Sequence, residues 1–141
     1  MEPLDLEPGD ARLARVWPVL RELRDHLSDD ELARRHAEAA PQGYRVTAGE
    51  VDGQTVVVAG WRVATTMAHG RVLHVDDLVT AAAARGRGHG AALLAHLEAR
   101  AAADGCARVR LDSGVSRHAA HRFSFRAGYH SASHAFAKEL R

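Results

Sequence analysis

Cysteine is almost missing from this 141-residue chain: Cys106 stands alone, so no disulfide can form within it and no cysteine-based metal site can be built. Aromatic residues make up 5% of the chain, which leaves the core to Leu, Val and Ala. Charge of one sign is also lacking. Nineteen basic residues face eighteen acidic ones, and a formal net charge of +1 is too small for a protein that grips nucleic acid through bulk charge. Lysine occurs once, at Lys138, so any local anion site must use arginine or the backbone. No apolar run approaches eighteen residues, which gives no candidate for a membrane-spanning helix. The opening stretch MEPLDLEPGD carries neither the basic nor the apolar region of a secretory signal. These absences lead us to expect a cytoplasmic protein without metal. Its length suits a single domain, residues 1–141, and 46% hydrophobic with 26% charged residues is a globular balance.

Leu13, Val16, Trp17, Leu20, Leu23 and Leu27 recur at helical spacing after Asp10, a candidate N-cap, and predict a helix over 10–26 that Pro18 bends or splits. Ser28 with Glu31 three residues later reads as a capping box opening a second helix to about Ala39, closed by Pro41 and Gly43. Tyr44 to Glu50 alternates, Asp52-Gly53 is a hairpin turn, and Thr55–Thr66 and Val72–Thr80 continue an antiparallel meander. Ala92, Leu93, Leu94, Leu97 and Ala101 then share one helical face, and Gly105 ends that helix. A strand over 107–112, a helix over 116–127 and an alternating strand from Tyr129 to about Leu140 complete the order ααβββαβαβ, with allowance for a short N-terminal strand.

The join between the third strand and third helix, AAAARGRGHGAALL at 81–94, sets three glycines and two arginines within six positions. Glycines let an anion approach the backbone, and the helix that follows offers unpaired N–H groups and the positive end of its dipole. Arg85 and Arg87 add charge at the rim. A P-loop would need Lys and Ser or Thr after its last glycine, and Gly90 is followed by Ala91 and Ala92. The dinucleotide fingerprint is met by Gly86, Gly88 and Ala91, with Asp112 near the place of a ribose-binding acid. The antiparallel meander before it, and the acidic pair Asp76-Asp77 within the strand, suit a doubly wound sheet badly. A plain flexible connector is the remaining reading.

The stretch LHVDDLVTAAAARGRGHGAALLAHLE resembles the central motif of the GNAT superfamily of N-acetyltransferases, whose pyrophosphate loop Q/R-x-x-G-x-G/A is matched by Arg85, Gly88 and Gly90. AAHRFSFRAGY is similar to the family's C-terminal helix motif. The resemblance implies an α+β fold with a mixed sheet, opened between its fourth and fifth strands, with acetyl-CoA as co-substrate. It implies that the backbone N–H groups of Arg87, Gly88, His89, Gly90 and Ala91 cradle the pyrophosphate, that Arg85 and Gly86 belong to the same cofactor loop, and that Val79 and Thr80 lie along the pantetheine. It implies acetyl transfer by direct attack of a primary amine on a small molecule or peptide.

Such an amine must lose a proton before it can attack. Asp76 stands where polyamine and glucosamine-phosphate acetyltransferases of this superfamily carry the acid usually assigned as base. Strand alternation sends Asp76 and Asp77 to opposite faces and gives Asp77 a structural role. Many members place a tyrosine hydroxyl near the departing sulfur; here the position holds Ser124 after Phe123, and His121 one turn earlier is a second candidate acid. Arg117 replaces an asparagine that contacts pantetheine in many members. One terminal strand stands where the family usually has two, which makes completion by a partner copy, a homodimer, an expectation. His118 and His121 lack acidic or cysteine partners for a metal, RGRG is too short to read as an RNA-binding repeat, and Trp61 is core with an option on the acceptor side. A non-catalytic CoA-binding module and a dinucleotide-binding oxidoreductase domain stand as alternative functions.

Overall fold

In the computed structural model, which describes residues 1–141, five strands form one sheet in sequence order: β1 (Glu2–Leu6), β2 (Arg45–Val51), β3 (Gln54–Thr66), β4 (Gly70–Thr80) and β5 (Arg108–Leu111). The first four are antiparallel neighbours, β2, β3 and β4 through hairpin turns and β1 with β2 across the two intervening helices, and β5 runs parallel to β4 after a helical crossover. Four helices flank the sheet: α1 (Leu13–Leu20), α2 (Asp29–Ala39), α3 (His89–Ala103) and α4 (His118–Arg126). No helix is long and apolar enough to cross a membrane.

The two faces of the sheet build two cores. On one, Leu13, Val16, Trp17 and Leu20 of α1 and Leu32 of α2 pack on Leu6, Val46, Ala48, Val58 and Val79. On the other, Leu93, Leu94, Leu97 and Ala101 of α3 pack on Val57, Ala59, Trp61, Leu73 and Val75. The Ser28–Glu31 capping box forms as expected and sets the start of α2. His36 is buried between the rings of Trp17 and Tyr44, and burial holds its imidazole below the ordinary value against a weak opposing pull from Glu7. Trp61 belongs to the α3 core: its indole N–H donates to Thr47 Oγ1 at 2.9 Å and the Arg100 guanidinium lies 4.7 Å from the ring centroid, so it does not line an acceptor site.

Leu93 is fully buried at the centre of the α3 face. Leu93→Ala is expected to destabilise the protein by about 3 kcal/mol in denaturant unfolding, the transfer loss plus the cavity left in a packed core.

Three expectations change. The first helix ends at Leu20, because the chain then folds into turns (Leu23 N–H to Leu20 O at 3.0 Å, Leu27 N–H to Arg24 O at 3.1 Å) from which Arg24 reaches Asp77 on β4 and Glu22 reaches Ala82 in the loop after it. The acidic pair does not split between faces. Gly60 faces Asp77 and Trp61 faces Val75, so Asp76 is an extra residue bulged out of β4, and the strand changes phase there. The terminal strand does not form: residues 127–141 pair with no strand. Their alternation is real, but Ala, Ser and His carry little strand preference, and Phe136 and Leu140 find no apolar surface to cover.

Candidate active site

The pairing of β4 with β5 stops at Val75 and Leu111. Beyond it the two strands part, and one side of the β4 backbone from Asp76 to Thr80 has no sheet partner. A cleft of about 330 Å³ opens at the parting. Glu22, Leu23 and Arg24 line it from the α1–α2 connection, Asp76 from β4, Asp112 from just beyond β5, and Phe123 and Ser124 from α4. It therefore communicates with both faces of the sheet.

On the α3 side, the loop expected to hold an anion has the geometry for it. None of the main-chain N–H groups of Gly86, Arg87, Gly88, His89, Gly90 and Ala91 donates a hydrogen bond within the chain. Six consecutive donors at the head of a fifteen-residue helix are thus free for one ligand. Gly88, the N-cap, has φ 82°, left-handed backbone that glycine adopts at no steric cost. A Cβ on Gly90 would come within 3.2 Å of Thr80 Oγ1, a tight fit, and would touch the Phe123 ring at 3.7 Å. Arg85 leans toward β4, its Nε donating to Thr80 O at 3.3 Å, and toward Glu22 at 3.6 Å; Arg87 is exposed without an ion pair. Glu22 Oε1 also accepts the Ala82 N–H at 2.8 Å, tying the α1–α2 connection to the start of this loop. Val79 is buried and Thr80 half-buried at the end of β4, the strand that leads into the loop.

On the opposite side, the bulge brings both acids onto the face that carries α1 and α2. Asp77 accepts from the Tyr44 hydroxyl at 2.7 Å and Arg24 Nε at 2.9 Å, which occupies it structurally. Burial raises the Tyr44 hydroxyl far above its ordinary value and the Asp77 charge adds to that, so it stays a donor. Gly60 must be glycine: a Cβ would overlap the Tyr44 hydroxyl and the Asp77 carboxylate. Asp76 instead turns to the cleft, with Arg62 Nε on Oδ2 at 2.8 Å and His74 Nδ1 on Oδ1 at 2.9 Å. Burial pushes the Asp76 carboxyl up, but the hydrogen bonds from His74 and Arg62 together outweigh it, and the group sits below its ordinary value. It is a carboxylate throughout the neutral range.

His74 also reaches Asp112 Oδ2 at 3.2 Å with its other nitrogen. A histidine between two carboxylates can donate to both only as the imidazolium, and the Asp76 hydrogen bond raises its pKa against burial. A folded value above about 6.5 makes this tie strongest below that pH and lost as pH climbs through the raised value. The melting-temperature advantage of wild type over His74→Gln is therefore expected to be largest below pH 6.5 and to shrink above it; thermal scans across pH 5–9 on both proteins check this, and an advantage growing with pH would refute it.

Asp76 and Ser124 both line the cleft, and the Ser124 hydroxyl donates to Ala120 O at 3.0 Å. His121 lies outside the cleft, lining an adjoining cavity with Nε2 2.8 Å from Gly114 O. Sequence reasoning missed Arg62, Glu22 and the cleft position of Asp112. His74 was legible, since His-x-Asp on a strand shares one face, but Arg62 comes from another strand and carries no local signal.

The profile of the acetyltransferase (GNAT) family matches residues 12–129. An uncharacterized N-acetyltransferase of Bacillus subtilis, YhdJ, is 32% identical over 111 residues, 78% of each chain. Among solved structures, the aminoglycoside N-acetyltransferase AAC(6')-Iy in complex with CoA superposes with a TM-score of 0.85 at 14% identity, over 99% of this chain and 94% of that one. The ribosomal-protein-alanine N-acetyltransferase of Brucella melitensis biovar Abortus gives 0.83 at 17% identity, over 99% and 100%. At these identities the two structures speak to fold alone.

Proposed function

This chain belongs to the acetyltransferase (GNAT) family and is an acetyl-CoA-dependent N-acetyltransferase, and from that premise we propose that it acetylates a cationic primary amine, on a small molecule or a peptide, by direct attack within the β4–β5 cleft. The observation that carries the reading is the run of six free N–H groups from Gly86 to Ala91. A diphosphate needs several convergent donors and tolerates no side chains between them, and this loop answers both demands. The same residues, with Arg85 and Arg87 at the rim, would hold the CoA pyrophosphate, and the unpaired side of the β4 backbone through Val79 and Thr80 would lie along the pantetheine. The bound co-substrate supplies an acyl carbon activated as a thioester.

The chain's own groups handle the amine. Glu22, Asp76 and Asp112 outnumber Arg24 and Arg117 along the cleft, and this net negative lining favours an ammonium ion over a neutral molecule. Deprotonating an amine of pKa about 10 at pH 7 costs about 4 kcal/mol, three units at 1.36 each. Asp76 offsets that by drawing the ammonium in and by accepting its proton, directly or through one water, as the nitrogen becomes bonded and far more acidic. Ser124, which lines the cleft, is the better placed of the two candidates for passing a proton to the departing thiolate; His121, outside the cleft, would act only after the cleft rearranges. With a thiol pKa near 8.5, the leaving group makes a modest demand on either. Cytoplasmic residence, in keeping with an unpaired Cys106, belongs to the same proposal.

The test is turnover. Acetyl-CoA offered with polyamines, aminoglycosides, amino acids and lysine or N-terminal peptides should release free thiol with at least one amine class. CoA binding without thiol release from any of them would make the chain a CoA-binding module instead.

A further inference from the structure

The face of the sheet that carries Asp76 also carries a row of bases. β3, β4 and β5 pair so that Arg62, His74 and Arg110 stand on one rung across the three strands. Side chains directly opposite on neighbouring strands share a face, so all three stand on the side to which Asp76 turns. Two carboxylates sit among them. Asp76 takes Arg62 at 2.8 Å and one nitrogen of His74 at 2.9 Å, and Asp112 takes the other nitrogen at 3.2 Å. Arg110 is left over: its contact with Asp112 is 3.7 Å, beyond a hydrogen bond, and its guanidinium reaches only the Ser133 hydroxyl, at 3.5 Å. Arg108, two residues earlier on β5, forms no ion pair, and its guanidinium lies 3.1 Å from His69 Nε2. Val109 and Leu111, which alternate with these arginines, pack toward the α3 core, so Arg108 and Arg110 share the opposite face.

Both arginines line a cavity of about 1140 Å³ that adjoins the cleft, with Leu111, Asp112, Ser113 and Ser124 bordering both spaces. The carboxylates on its wall are already engaged, Glu98 by the Tyr129 hydroxyl at 2.7 Å and Asp112 by His74. Two positive charges thus face an open space without an anion. Val115, Phe125 and Phe136 give the same cavity exposed apolar surface. One imidazole and one carboxylate separate Asp76 from Arg110, and Arg108 lies about 7 Å further along the strand. Guanidinium forks at that spacing can close on a single carboxylate or phosphoryl group. A molecule that filled cleft and cavity together would meet carboxylates at one end and two arginines at the other.

We propose that the acceptor is bipolar: a primary amine that carries an anionic group, carboxylate or phosphoryl, at its far end, with the ammonium at Asp76 and the anion between Arg108 and Arg110. This rests on the acetyl-transfer reading and narrows its acceptor class. The two arginines select the substrate and touch no reacting atom. An acidic cleft alone would welcome a polyamine; the arginines reverse that choice, because a second ammonium group would meet two like charges. Acetylation turns the ammonium into a neutral amide and leaves the anion unchanged, so the product loses its hold at Asp76 and is free to depart.

Thiol release from acetyl-CoA is measured with straight-chain primary amines of graded, matched length that end in methyl, ammonium, carboxylate or phosphonate. The expected result is a kcat/KM at least about 10-fold higher for an anion-ended amine than for the methyl-ended one of the same length, carried mainly by KM, with the ammonium-ended series lowest. An advantage at either the carboxylate or the phosphonate end suffices, and which it is identifies the anion. Arg108→Gln combined with Arg110→Gln is expected to bring the ratio to about 1, and Arg110→Lys alone, which keeps the charge, to retain part of it. Both guanidinium groups are exposed, so circular dichroism should match wild type. Equal or better turnover of methyl- or ammonium-ended amines by the wild type would overturn the inference and leave acetyl transfer standing, as would a preference that survives the double substitution. Release from another amine class with none from this series would do the same. No release from any amine would bring down the acetyl-transfer reading, and this inference with it.

Discussion

Gly88→Val is expected to weaken coenzyme A binding by about 100-fold, close to 2.7 kcal/mol, while leaving the fold intact. Two effects add. The left-handed backbone at Gly88 costs a residue with a Cβ about 1–2 kcal/mol, more for a branched one, and the loop relieves that strain by moving away from the conformation in which its N–H groups converge. The new side chain also stands where the anion must come within hydrogen-bond distance of the main chain. Nothing in the protein lies within 4 Å of a Cβ at this position, so the penalty falls on the ligand rather than on packing. Calorimetry with CoA against both proteins, alongside their melting temperatures, checks it. Unchanged affinity would mean that the pyrophosphate sits elsewhere.

The second large effect concerns chemistry. Asp76→Asn keeps the shape of the side chain and an oxygen for Arg62, but removes the charge and the proton acceptor. The expected outcome is a kcat lower by about 100- to 1000-fold, the usual range for losing a general base, with CoA affinity within about 3-fold of wild type. Because Asp76 is ionised across the neutral range, the rise of rate with pH in the wild type should follow the amine and not this carboxylate. A variant that keeps its rate would leave the acidic pair a purely structural role and move the search for a base to Asp112 or Glu22. Asp77→Asn makes the comparison sharper: Asp77 binds Tyr44 and Arg24, so its loss should show first in stability.

Much of this architecture was readable before any coordinates. The capping box at Ser28, the hairpin at Asp52-Gly53 and the apolar face of α3 are local signals, each decided by residues within one turn or one hairpin. The open-amide loop at 86–91 was readable for the same reason, since its backbone conformation follows from its glycines. What escaped was decided at a distance. The bulge at Asp76 depends on how β3 and β4 settle their register around Gly60, where Tyr44 from another element fills the space a side chain would need. Alternation counted along β4 alone gives the wrong face for one of the two acids. The end of α1 depends on Arg24 finding Asp77 fifty-three positions away. The tail misled in the other direction: its period of two is a strand pattern, but a pattern becomes a strand only when an edge and an apolar surface are within reach.

The phase change in β4 gives Asp76 unusual liberty. Residues 77–80 are locked to 57–60 and residues 70–75 to 61–66, while position 76 faces no residue across the ladder. Exchange of that one side chain leaves every rung of the sheet in place and does not disturb the loop downstream. A change at position 76 therefore separates the handling of the amine from the grip on the donor, which is why Asp76→Asn is expected to lower the rate and spare CoA affinity.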